Sequence, residues 1–112
     1  MAGEDRIEMA RAMYRAYEQG DRSVVERLVA ADFKFHAPPD PVLDRDGYFD
    51  RCWPNAGLIR EFEFVRMFEH GDEVFVTYES TKSDGNRFRN TEILRFEGDG
   101  LAEVEVYFGW DI

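Results

Sequence analysis

Apolar residues recur at three- and four-residue intervals along the first part of the chain and closer to every second position along its latter half, which predicts helices followed by strands. Ile7, Ala10, Met13, Tyr14 and Tyr17 fall on one face of a helix over 5–19, with Arg6, Glu8, Arg11, Arg15 and Glu18 on the other. Gly20 predicts the stop of that helix, and Asp21 the N-cap of a second. The second helix carries Val24, Val25, Leu28 and Val29 on one side, so the pair reads as an αα-hairpin. Asp32-Phe33-Lys34-Phe35-His36 predicts a short strand. Pro38, Pro39 and Pro41 then lack the N–H that a ladder needs and make a rigid loop. Asp44 or Asp46 caps a third helix with Tyr48, Phe49, Cys52 and Trp53 on one face, and Pro54 limits its length.

Four later runs, near 59–69, 73–82, 86–97 and 101–108, have strand composition. The turns His70-Gly71-Asp72, Ser83-Asp84-Gly85 and Gly98-Asp99-Gly100 are too short for anything but an antiparallel meander. Helices followed by a meander give an α+β class, with the helices packed on one face of the sheet.

Composition narrows the picture. A chain of 112 residues is enough for one domain, taken here as 1–112, and its 15% aromatic content, with ten Phe, supplies a sizeable core. A net charge of -10 repels phosphate, so neither nucleic acid nor an anionic membrane is expected as a partner. The lone Cys52 forms no internal disulfide, no run approaches the ~20 apolar residues of a membrane span, and Met1–Asp5 is acidic where a signal peptide is basic. The expected location is cytoplasmic. Two His and one Cys give no zinc spacing, and there is no Gly-rich phosphate loop, so no metal or cofactor is expected.

The ordered set Tyr17-Glu18-Gln19-Gly20-Asp21, Ala31-Asp32-Phe33-Lys34-Phe35-His36-Ala37-Pro38, Thr91-Glu92-Ile93-Leu94-Arg95-Phe96-Glu97-Gly98 and Glu103-Val104-Glu105-Val106-Tyr107-Phe108-Gly109-Trp110 resembles the nuclear transport factor 2-like superfamily. Within it, the likeness is to SnoaL-like and ketosteroid-isomerase-like proteins. The resemblance implies a cystatin-like α+β roll: a cone-shaped, curved antiparallel sheet around a cavity, closed by three N-terminal helices. Such proteins include isomerases, cyclases, hydrolases and many without known activity, so fold alone does not give function.

Strand parity nominates the site. Phe88, Asn90, Glu92, Leu94 and Phe96 share one face, which sets Glu92 in an apolar row. A carboxylate there is paired, hydrogen-bonded or protonated. It is either a structural group bonded to a tyrosine or arginine, or an acid of the site. The resemblance matches Glu92 to a buried acid that stays neutral and helps hold an oxyanion in the ketosteroid isomerases. It also places that family's base at Ala37 and its helix tyrosine nearest Met13, so both of those positions depart. Asp40 in the proline loop and His36 are the alternative bases, although parity turns His36 away from the cone. Tyr14, Tyr48 and Trp53 are expected to wall the pocket, with Val104, Val106 and Phe108 pointing in from the last strand. The facing of Glu79 is open: it either joins Glu92 across the pocket or lies outside.

The function expected from these residues is a pocket for a small apolar molecule. Either an isomerase, cyclase or hydrolase works there by general acid/base chemistry, or the domain binds a ligand without catalysis, or it is an interaction domain that dimerises through the outer sheet face. Thr91, Ile93, Tyr107 and some of Val74, Val76 and Tyr78 on the outer sheet face predict a homodimer through that face.

Overall fold

The structure is a computed structural model that describes residues 5–38 and 41–112. Helix α1 (Arg6–Gln19) starts where the Asp5 carboxylate accepts the Ile7 and Glu8 N–H groups. It stops at Gly20, whose φ of 69° is the left-handed conformation that a side chain disfavours. Helix α2 (Arg22–Leu28) is shorter than the apolar pattern suggests. Val29 leaves it and opens strand β1 (Val29–His36), where pairing opposite Leu101 offers a β-branched residue a better site. Asp21 holds the N-cap place, but its side chain accepts from the Ser23 hydroxyl rather than from a helix N–H. Asp44, not Asp46, caps α3 (Arg45–Cys52), accepting from Gly47 N at 2.8 Å. Trp53 and Pro54 begin a separate 3₁₀ turn (Trp53–Gly57), because proline permits a new first turn but cannot continue the old one.

Strands β2 (Ile59–His70), β3 (Glu73–Lys82), β4 (Arg87–Glu97) and β5 (Gly100–Asp111) form the expected meander. The sheet order is β1-β5-β4-β3-β2, and β1 joins it in parallel beside β5. Register shifts interrupt β2 between Ile59 and Glu61 and between Phe64 and Arg66, and the β4–β5 pairing is interrupted twice. Each adds local twist and bend, which curves the sheet toward the helices.

The concave face carries Phe62, Val74, Val76, Tyr78, Leu94, Phe96, Val104 and Val106, all buried. Ala10, Met13, Tyr14 and Ala16 of α1 close one side of it, and Tyr48 and Phe49 of α3 close the β1 side. The free edge of β2 is protected by α1: Glu18 accepts the Phe62 N–H at 2.6 Å, and Arg15 donates to the Phe62 carbonyl at 3.3 Å. The paired side chains stand in for a neighbouring strand and block edge-to-edge association there. No helix among the described residues is long and apolar enough to cross a membrane.

Candidate functional site

Glu92 lies on β4 with Val76 and Val106 as its directly paired cross-strand neighbours, and neither offers its carboxyl a polar partner. Its donors come from elsewhere. Tyr14 on α1 donates to one carboxyl oxygen at 2.8 Å, and Tyr78 on β3 donates to the other at 2.6 Å. Both phenols are almost fully buried, whereas Glu92 keeps some accessible surface. Burial pushes the Glu92 carboxyl above its usual range, and the two tyrosine hydrogen bonds only partly oppose that rise. Burial, followed by the nearby Glu92 charge, pushes both tyrosines well above the usual phenol value, so they remain donors. The result is a carboxyl biased toward its neutral form, held by two neutral hydroxyls.

The Tyr78 oxygen also accepts from the Asn90 amide at 3.4 Å, and Asn90 in turn accepts from Gly109 N at 3.2 Å. A second hydroxyl pair, Tyr17 and Tyr48, lies close enough to feel the charge of Glu92, and the two oxygens are 2.5 Å apart. The Tyr17 ring packs 5.0 Å from Trp53, and Tyr48 packs 5.0 Å from Phe33 and 5.1 Å from Phe35. Tyr14 sits among Phe62, Phe64 and Tyr78 at centroid distances of 5.0, 5.5 and 5.4 Å. The tyrosines thus pack their rings into the apolar core and turn their hydroxyls toward polar partners.

Not all expected residues converge. Tyr14 rather than Met13 reaches Glu92, because one step along α1 turns the phenol toward β4 while Met13 packs in the core. Val104 and Val106 face inward, but Phe108 is 60% exposed, since β5 runs on past the helices that cover its start. Glu79 belongs to the convex face, where Arg87 and Arg89 hold its carboxyl below the usual range. Val74, Val76, Tyr78 and Ser80 claim the concave side of β3 and leave Glu79 no place there. His36 is also outside, 2.6 Å from Glu103, which Arg95 also contacts. Ala37 packs against the core and offers no base, and Asp40 lies outside the described residues. Tyr78 and Tyr17 were not nominated from sequence. Tyr78 was detectable by its parity with Val74 and Val76, and Tyr17 by its place on the apolar face of α1.

Two surface clefts accompany this arrangement, one of about 360 Å³ beside α3 and one of about 730 Å³ between α1 and β2. Neither is lined by Glu92. The larger is an open groove of arginine and glutamate side chains around Phe62 and Phe64, and its charges compensate one another. Among the described residues, no three His, Cys, Asp or Glu side chains come together as a metal site.

A family model for the SnoaL-like domain matches residues 10–104, nearly the whole chain. The chain belongs to the SnoaL-like family. Solved structures agree on the fold of this SnoaL-like protein. A protein from Kribbella flavida is 18% identical, with a TM-score of 0.83 over 92% of this chain and 85% of that one. A cystatin-fold protein from Novosphingobium aromaticivorans is 21% identical, with a TM-score of 0.77 over 93% and 98% of the two chains. A Sinorhizobium meliloti protein described as a candidate polyketide cyclase is 15% identical, with a TM-score of 0.75 over 88% and 93%. At these identities the likeness carries the fold alone. No curated protein matches the chain significantly.

Proposed function

We propose that this SnoaL-like protein is a cofactor-independent enzyme of the isomerase, cyclase or hydrolase kind, acting on a small apolar molecule that carries a carbonyl or phenolic oxygen. The observation that carries the reading is Glu92: a carboxyl raised toward neutrality by burial and held by Tyr14 and Tyr78. A neutral acid hydrogen-bonded to a phenol leaves the phenol's own proton free to stabilise negative charge that develops on a carbonyl oxygen when a neighbouring C–H proton is removed. In a dry site each such donor contributes on the order of a hundredfold in rate. The likeness of the fold to proteins described as candidate polyketide cyclases supports this class of substrate. Asp40 is the base in this reading, on the loop whose two ends are pinned by the Phe35–Leu43 backbone pair. His36 is not, because its ring is engaged with Glu103 on the other face.

Two probes test the reading. The first is 2-naphthol, whose absorbance changes when it binds as the anion. The second is deuterium exchange beside the carbonyl of cyclic unsaturated ketones, followed by NMR. The parent is expected to bind naphtholate and accelerate exchange. Glu92→Gln and Tyr14→Phe each lose about tenfold or more in both, and Asp40→Asn loses exchange while keeping binding. Binding without exchange supports a non-catalytic carrier instead. Absence of both sinks the reading.

The same proposal includes a second copy of the chain on the convex face. There Phe68 stacks on Phe75 at 5.1 Å with Ile93 beside it, Tyr107 and then Trp110 follow along β5, and ion pairs lie at both ends of the strip. Exposed Tyr107 and Trp110 favour coverage by a partner. Sedimentation is expected to give a dimer that Ile93→Glu converts to a monomer. A parent that is monomeric at tens of micromolar, on the order of ordinary assay concentrations, rules out this interface.

A further inference from the structure

Strand β5 gains one residue against β4 at Gly109. Asn90 lies opposite Phe108, yet Arg89, the next residue back, lies opposite Trp110. A Cβ at position 109 would sit 2.2 Å from the Arg89 carbonyl oxygen, closer than any side chain tolerates, so this bulge requires glycine. The extra residue turns Trp110 to the convex face, where it meets the Arg89 guanidinium at 5.5 Å. It also aims the Gly109 N–H at the Asn90 side chain, 3.2 Å away.

That N–H fixes the direction of everything beyond it. A backbone N–H only donates, so the Asn90 atom facing it is the carbonyl oxygen Oδ1. The amide nitrogen must then face Tyr78, and it too only donates, so the Tyr78 oxygen accepts there. Tyr78 has one proton left to place and gives it to Glu92 Oε2. With that lone pair and that proton both committed, Tyr78 is poorly placed to receive a proton from Glu92. Tyr14 carries no such commitment: among the described residues its hydroxyl contacts Glu92 Oε1 alone.

We infer that the Gly109 bulge and Asn90 act as positioning residues that direct the acidic proton of Glu92 to Oε1, the oxygen facing Tyr14. The inference rests on the reading of Glu92 as the acid of the site. In the neutral state Glu92 donates to the Tyr14 oxygen, which frees the Tyr14 hydroxyl proton to turn toward a ligand oxygen. Tyr78 meanwhile stays locked to Oε2. The two tyrosines look equivalent in distance, but only Tyr14 addresses the ligand.

Infrared difference spectra of the full chain, parent minus Glu92→Gln at mildly acidic pH, isolate the carbonyl stretch of neutral Glu92. Each hydrogen bond that a carbonyl accepts lowers this frequency. With the proton on Oε1, the carbonyl is Oε2 and its donor is Tyr78. Tyr78→Phe is therefore expected to raise the frequency more than Tyr14→Phe does. Asn90→Leu, which frees the Tyr78 lone pair, is expected to split the band in two, because the proton then occupies both oxygens. Asn90→Asp, which pulls the Tyr78 proton away, is expected to move a single band upward. A larger rise in Tyr14→Phe than in Tyr78→Phe overturns the inference, and so does an unchanged band in both Asn90 variants. Absence of any neutral Glu92 carbonyl band at a pH above the ordinary carboxyl pKa defeats the parent reading instead, which keeps the two failures apart.

Discussion

Glu92 and Glu79 sit on neighbouring strands of one sheet, on opposite faces, and their carboxyls respond to opposite forces. Glu92 faces the helices, has valines on both sides, and finds only neutral hydroxyl donors. Glu79 faces outward and finds two guanidinium groups. Desolvation without a countercharge raises the first, and cationic hydrogen-bond donors lower the second. A glutamate within a strand therefore carries no fixed role, and the face onto which it is folded decides which form of it is stable.

The largest expected contrast between the two faces lies in adjacent residues of β4. Leu94 is 1% exposed on the concave side, and Leu94→Ala is expected to cost about 2–5 kcal/mol in denaturant unfolding. Ile93→Ala, on the convex side, is expected to cost less than about 1 kcal/mol when measured on the monomeric form. Similar losses at both positions would erase the assignment of faces.

Removing one donor from Glu92 comes next. Tyr14→Phe or Tyr78→Phe leaves a carboxyl oxygen without its partner and is expected to cost about 1–3 kcal/mol. The cost is larger near pH 8 than near pH 5, because the ionised form depends more on both donors, on the order of one charge-assisted hydrogen bond each. Thermal melts at the two values check this, and a cost independent of pH argues against a titrating carboxyl.

Glu92→Gln reverses the sign. The folded-state value of Glu92 is raised above its ordinary 4.5, so the native protein loses stability as pH rises from there through the raised value. The amide removes that loss. The variant is expected to match the parent at low pH and to exceed it by about 1 kcal/mol at high pH. A fall in melting temperature of more than ~10 °C would mean that the carboxylate is structural and would sink the site reading.

Glu79→Gln is the smallest. Its folded value is lowered, so the stability it contributes is present above its ordinary 4.5 and lost as pH falls through the lowered value. The parent and the variant are expected to differ in acid melts at low salt and to converge as salt is raised. A difference at pH 8 that ignores salt points to packing rather than charge.

Local signals were strong enough to place most elements. The α1 stripe, its Gly20 stop and the three short turns need only spacing and backbone preference, and they appear where the pattern puts them. Parity likewise put Glu92, Asn90, Val104 and Val106 on the concave side. Errors arose where a distant contact outweighs local preference. Val29 looks helical until Leu101 lies beside it, and Phe108 looks buried until β5 is seen to outrun its cover.

By itself the sequence determined the class of fold, the order of its elements and the acid worth examining, because periodicity, turn chemistry and an isolated carboxyl in an apolar row are local facts. Only the tertiary structure decided what surrounds that acid. Tyr14 and Glu92 are 78 positions apart, and the helix rotation that joins them depends on how α1 seats on the curved sheet. The facing of Glu79 was settled the same way: a strand with plausible residues on both sides takes its orientation from the larger apolar area buried beneath the helices.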